Sequence, residues 1–433
     1  MLTKMQIATV ALALFFGLAT IPLTGAPPAT RLIPSALPVP ESYFGMHIHG
    51  IDVPRPTTKR VTPWPDVPFG SWRLMDAYVR WYDIEPRKNE FNFERLDRYV
   101  ALAQQKHVKV LLPLFGEPSW ASARPSEKEN GNPDGSAAEP ASMDDWRNFV
   151  RAVATRYKGQ IEGYEIWNEP NLKMFWTGTT LQMVDLSREA FQVIKSVDPK
   201  ALVVLPSCTV ETGPQYLDDF LKLGGGKYGD ALGYHFYVRA KPPEAIADLA
   251  LHVEDILRTN HVNLPLWNTE AGWADPKPFP SEELAAAYVA RSQIVAWAAG
   301  VSRFYWYAWD NHSFVTLEMV NRDDVTDKSA AKAYADVQRW LVGAVVRSCE
   351  SDAAGKWTCE LDRGGAKQWI VWNANGAADF AVPPDWHATS QTPLLGAKEK
   401  VKGSNMQIGP VPILFEGERE TPDRKDRRKD EDR

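Results

Sequence analysis

Glu165-Ile166-Trp167-Asn168-Glu169-Pro170 and Leu266-Trp267-Asn268-Thr269-Glu270-Ala271-Gly272-Trp273 each end a short apolar run with a glutamate flanked by Asn and Trp. A glutamate at one strand end is ordinarily a solvated residue. Two in matching settings invite the question of how many strands lie around them. Counting outward from 43 to 344, apolar runs occur at 44–49, 72–76, 108–115, 163–167, 201–206, 231–237, 264–269 and 303–309. Between most of them, amphipathic stretches at 92–106, 143–157, 180–196, 243–259, 282–299 and 330–341 carry apolar residues near i, i+3, i+4 and i+7. Strands alternating with helices predict parallel βαβ units. Eight of them predict an α/β fold, a (β/α)8 TIM barrel, whose chemistry sits at the C-terminal ends of the strands. Segments four and seven then carry Glu169 and Glu270 to facing sides of one mouth.

The spacing breaks in places. Pro54, Pro56, Pro63, Pro65 and Pro68 exclude a regular first helix from 52–70. A long loop, 116–141, follows the third strand and is placed to shape the mouth. Ser142 with Asp145 resembles a capping box for the helix that follows. After about 345 the pattern changes to short strand-like runs with Gly-rich turns, so 345–415 reads as a small antiparallel, β-sandwich-like module beside the barrel.

The ends differ from the body. Lys4 precedes an apolar run, 5–23, followed by the small residues Thr24-Gly25-Ala26. Segment 1–26 is expected to be a cleaved signal peptide or a retained membrane anchor. The Pro/Ala-rich 27–42 is expected to be a linker, and the charged, apolar-free 416–433 a disordered tail. The chain is therefore expected outside the cytoplasm: periplasmic, anchored in the inner membrane and facing the periplasm, or secreted. Cys349 and Cys359 flank a hairpin-like stretch and suggest a cross-strand disulfide in an oxidising compartment; Cys208 is left over as a buried thiol. Across 433 residues a net charge of −6 gives no reason to expect nucleic-acid binding. No Cys/His cluster has metal-ligand spacing, and no metal or cofactor is expected. The chain is expected to be a monomer.

Two carboxylates suit glycoside hydrolysis. One protonates the leaving oxygen and the other attacks or stabilises the anomeric carbon. Their surroundings must differ, since one stays protonated while the other stays ionised.

These residues resemble the clan of (β/α)8 glycosidases whose acid/base follows an Asn on strand four and whose nucleophile ends strand seven. Within it the chain is most similar to glycoside hydrolase family 39. The resemblance covers roughly residues 43–420 by the same strand count. Looser motifs are Trp72-Arg73-Leu74, 81–86, 109–121, 233–237 and Phe304-Tyr305-Trp306-Tyr307-Ala308-Trp309-Asp310. It implies Glu169 as acid/base, Glu270 as nucleophile, and Asn168 as partner of a sugar 2-hydroxyl. Arg73 is expected to pair with Glu270, with a purely structural ion pair as the alternative. Tyr237 is expected to orient the nucleophile. His235 reads equally as a sugar contact or a core histidine. His47 and His49 share a strand face; a sugar contact or core packing is expected there, not a metal. Seventeen Trp residues offer flat faces for sugars or simply core filling. Trp120, Trp176, Trp273, Trp306 and Trp309 fall at strand ends or in the loops beyond and are the candidate sugar platforms, Trp306 first among them.

The same resemblance is strongest to exopolysaccharide endoglycosidases of bacterial biofilms, implying an endo-acting retaining enzyme on a polysaccharide or oligosaccharide. An exo-acting glycosidase such as a β-xylosidase is the alternative. A non-catalytic polysaccharide-binding or export scaffold is the alternative of another class.

Overall fold

The alternation of strand and helix closes on itself. Strands β2 (Phe44–Met46), β3 (Ser71–Arg73), β4 (Lys109–Leu114), β5 (Gly163–Ile166), β6 (Leu202–Thr209), β7 (Ala231–His235), β8 (Leu266–Ala271) and β9 (Val301–Trp306) pair in parallel, and β9 returns to β2. This is a computed structural model, which describes residues 30–51, 53–54, 60–128, 132–274, 278–401 and 403–417. The expected export segment 1–26 lies outside the described residues, as do 418–433 of the charged tail. Among the described residues no helix is long and apolar enough to cross a membrane.

Side-chain alternation explains the two cores. On β2, β7 and β9, Phe44 and Met46, Leu232 and Tyr234, and Phe304 and Trp306 pack outward in the main apolar cluster shared with the helices. The intervening positions point inward, where Leu111, Val204, Ala231, Trp267 and Tyr305 from five strands fill the barrel beneath its mouth. Helix α2 (Glu94–Gln105) buries one stripe, formed by Leu96, Tyr99, Val100 and Ala103. A short α1 (Trp81–Ile84) precedes it. Helix α3 (Met143–Arg156) starts with Ser142 accepting from the Asp144 N–H, so Ser142 caps it without the expected reciprocal box. A full capping box opens α4 (Thr180–Val197), where Thr179 and Gln182 satisfy each other's backbone N–H. Helix α5 (Gly213–Lys222) is not among the helical stretches expected from the sequence. Helices α6 (Ala245–Thr259), α7 (Glu282–Ala298) and α8 (Ser329–Leu341) complete the ring. No helix is described between β2 and β3, as the prolines require.

Residues 27–42 correct the linker expectation where they are described. Arg31–Leu32 forms a strand, β1, paired antiparallel with β10 (Val345–Ser351), and Val39 exchanges backbone hydrogen bonds with 343–344. The segment before the barrel is thus the edge of the C-terminal sheet. That sheet continues through β11 (Lys356–Arg363), β12 (Ala366–Asn373), β17 (Ile413–Gly417), β14 (Ala388–Pro393) and β15 (Glu399–Lys400). A two-stranded sheet, β13 (Ala378–Ala381) with β16 (Asn405–Ile408), contributes Phe380 and Ile408 to a small core with Trp369, Val371 and Phe415. Arg363 ties the module to the barrel by donating to the Trp340 and Val342 carbonyls at the end of α8.

Cys349 and Cys359 are directly opposed on β10 and β11 and disulfide-bonded, and Cys208 is a buried free thiol. A bridge closing so short a loop stabilises by roughly 2–3 kcal/mol on chain-entropy grounds. Replacing both cysteines by serine should lower the melting temperature of the module while leaving turnover per folded molecule unchanged. Equal loss of activity in the folded fraction would mean that the module shapes the site.

Candidate active site

The backbone at the end of β5 departs from strand geometry. Trp167 and Glu169 have φ of +69° and +44°. Left-handed backbone at non-glycine residues costs on the order of 1–3 kcal/mol each. Burial of Trp167 among Trp146 and Trp176, with its indole N–H on the Phe175 carbonyl, compensates. The effect is to send Trp167 outward and deliver both Asn168 and Glu169 to the mouth. The Glu169 N–H is fixed on the Ser207 carbonyl of β6. Glu270 lies within β8, one residue past the strand end expected at 269, where pairing slips against both neighbours. Oxygens of Glu169 and Glu270 and a ring nitrogen of His235 lie within 4.8 Å of one another.

Arg73, fully buried on β3, organises the floor. It donates to Glu270 Oε2 at 2.8 Å, to Asn168 Oδ1 at 2.8 Å, and through Nε to Glu165. Arg73 therefore does pair with Glu270, while also serving a second buried carboxylate. Glu165, at the start of the quoted motif, carries no signal of such a role in the sequence; it further accepts from Ser207, which hydrogen-bonds Thr269. The Tyr237 hydroxyl donates to Glu270 Oε1 at 2.8 Å. Glu270 thus receives one donor on each oxygen, one of them cationic. His235 Nδ1 contacts Glu169 Oε1 at 2.8 Å, and burial depresses His235 to about 4. Burial raises Glu169 to about 7, offset in part by the Thr209 hydroxyl and Arg73. Burial also raises Glu270, against the pull of His235 and Arg73. Of Glu169 and Glu270, it is Glu270 that is paired with Arg73, and hydrogen bonding to the charged form favours ionisation there.

A cavity of about 700 Å³ opens above these groups. Asn168, Glu169, Tyr237 and Glu270 line it, with Asp76, Arg80, Asn132, Tyr307, Met174 and Phe314 on the walls. His235 lies beneath as a partner of Glu169, so neither of its two expected readings describes it fully. The candidate platforms need correction. None of the five Trp lines the cavity. Trp306 is fully buried between Phe304 and Trp273, and Trp176, Trp273 and Trp309 are buried as well. Trp120 packs edge-on against Trp81 with its N–H on the Glu85 carbonyl. Strand-end position misled here, because outward alternation puts Trp306 among the helices and Tyr307 at the mouth. His47 is also fully buried, bonded to the Thr269 carbonyl and packed under Tyr307. Loop 116–141 reaches the cavity through Asn132, whereas no described residue of 52–70 does.

In that loop Glu117 is buried with neither carboxylate oxygen hydrogen-bonded, and burial pushes it up to about 10. Its folded value lies above its unfolded one, so ionisation in the unfolded chain favours unfolding increasingly as pH rises from about 4.5 towards 10. Glu117→Gln should therefore melt higher than wild type at pH 8 and alike at pH 4, by calorimetry. An equal difference at both pH values would rule out titration as the cause.

The sequence model for glycosyl hydrolases family 39 matches residues 72–308. A β-xylosidase from Caldicellulosiruptor saccharolyticus is 32% identical over 31% of the chain and 29% of its own length. One from Geobacillus stearothermophilus is 26% identical over 36% and 37%. The chain thus spans about a third of the length of these curated relatives. Among solved structures, a family 39 glycoside hydrolase from Bacteroides cellulosilyticus WH2 aligns with a TM-score of 0.65 at 17% identity, covering 81% of this chain and 76% of that one. A monomeric β-xylosidase from Caulobacter crescentus CB15 aligns at 0.63 and 14% identity, covering 89% and 97%. At such identities these likenesses speak for the fold alone.

Proposed function

Since this chain belongs to glycosyl hydrolase family 39, we propose that it is a retaining glycoside hydrolase with Glu169 as acid/base and Glu270 as nucleophile. The observation that carries the reading is the pair itself: two buried carboxylates within 4.8 Å across one mouth, one bonded to Arg73 and the other to His235. Retaining enzymes hold their carboxyl groups about 5–5.5 Å apart, whereas inverting ones leave room for a water. In the first step Glu169 gives its proton to the glycosidic oxygen as that bond breaks, and Glu270 forms a bond to the anomeric carbon. In the second, Glu169 takes a proton from water, the water oxygen attacks the same carbon, and Glu270 leaves as a carboxylate. When His235 Nδ1–H donates to Oε1, the transferable proton is left to Glu169 Oε2. Asn168, its carbonyl oxygen held by Arg73, has its amide N–H groups free for a sugar 2-hydroxyl.

For substrate, we infer internal cleavage of a bacterial exopolysaccharide outside the cytoplasm by a monomer. The support is the apolar run 5–23, the disulfide, and apolar surface on both sides of the carboxylate pair. The names of the curated relatives favour an exo-acting β-xylosidase instead. The chemistry is tested with a 2,4-dinitrophenyl 2-deoxy-2-fluoro-β-xyloside, which forms the glycosyl-enzyme faster than it is released. Peptide mass mapping should find the sugar on Glu270. Label on another residue, or inverted product by NMR, would overturn the assignment.

A further inference from the structure

We propose that Phe314 is the platform for a sugar on the glycone side of the one being transferred, giving the site a second glycone subsite. The proposal rests on the glycosidase reading above. Every tryptophan expected to serve as a platform is turned away from the cavity, while Phe314 lines it and is 48% exposed. Exposing a large aromatic gains nothing for stability, yet this one is held on a built loop. Asn311 Oδ1 accepts from the backbone N–H groups of Ser313 and Phe314, and its amide donates to the Tyr307 hydroxyl. His312 is fixed between Glu318 and Asp324, Val315 is buried, and the Thr316 N–H is bound to the Trp273 carbonyl. The ring meets Tyr237 and Tyr307 at 86° and 80°, so neither neighbour stacks on it.

Position assigns the subsite. The leaving group departs on the side of the acid, Glu169, which follows β5. Phe314 follows β9, four strands away and so across the mouth of an eight-stranded barrel. It touches Tyr237, the phenol that holds the nucleophile. A ring beyond the nucleophile and opposite the acid faces the sugar before the scissile one. On the acid's own lip, Leu172, Met174 and Phe175 supply apolar surface for the leaving group.

The test compares matched aryl glycosides that differ only by that sugar: 4-nitrophenyl β-xyloside with β-xylobioside, and β-glucoside with β-cellobioside. In the wild type, kcat/KM for the cleaved pair should be at least tenfold higher on the disaccharide. Phe314→Ala should bring the ratio near one by lowering only the disaccharide value, and Phe314→Tyr should restore it to within threefold of wild type. A wild-type ratio near one, or a ratio unchanged in Phe314→Ala, overturns the proposal while leaving the glycosidase reading intact. No hydrolysis of any of the four by the wild type counts against both.

Discussion

Glu270→Gln is expected to remove turnover on every substrate, by about 10⁴-fold or more in kcat, the scale on which loss of a covalent nucleophile is felt. An amide oxygen does not form a glycosyl ester, so the first step has no alternative route within the site. The structure also indicates that the variant folds. Arg73 is fully buried, and an unpaired buried guanidinium would cost several kcal/mol. It keeps its contact with Glu165, so the charge stays neutralised when Glu270 becomes an amide. Melting temperature and circular dichroism should stay close to wild type while activity vanishes. Wild-type turnover in a pure preparation of the variant would remove Glu270 from the mechanism.

That neutralisation was the least legible part of the site. Strands four and seven could be counted, and Asn168, Glu169 and Glu270 stand where the count put them. Tyr237 and Arg73 also reach the nucleophile, as the family resemblance implied. Glu165 lay in the same quoted motif but had no signal of its own, because a buried acid looks like any other until its arginine is seen beside it. The platforms failed for a different reason. Strand alternation with period two decides which face a residue takes, and Tyr305 and Trp306 differ by one position. Reading only the distance to the strand end chose the outward Trp306 over the inward Tyr307 beyond it. At β5 the alternation itself is broken by the left-handed backbone at Trp167, which no pattern of residue types announces. Phe314 was missed because it belongs to a loop, whose course depends on side-chain ties such as those of Asn311 and His312 and not on periodicity.

Glu169→Gln should divide substrates by their leaving groups. General acid catalysis contributes about 10²–10⁴-fold, so hydrolysis of an unactivated oligosaccharide should fall by that factor. The first step on a 2,4-dinitrophenyl glycoside, whose phenolate leaves without protonation, should be nearly unchanged. Release of the sugar from Glu270 then becomes slow, since no base activates water, and a burst of dinitrophenolate should precede the steady state. Azide, which attacks without a base, should restore turnover and yield the glycosyl azide with retained configuration. The pH profile supplies the independent reading. Glu169 is raised to about 7 by burial, so its acid form is present below that value and lost as pH rises through it. Wild-type kcat/KM on oligosaccharide should accordingly decline above about pH 7. On the acidic side it should decline as Glu270 takes up a proton, above the ordinary glutamate range, because burial raises that group too. The two carboxylates interact, so both limbs belong to the pair. In Glu169→Gln the alkaline limb should disappear and the acidic limb remain. An alkaline limb unchanged in the variant would assign the titration near 7 to another group and leave Glu169 without its acid role.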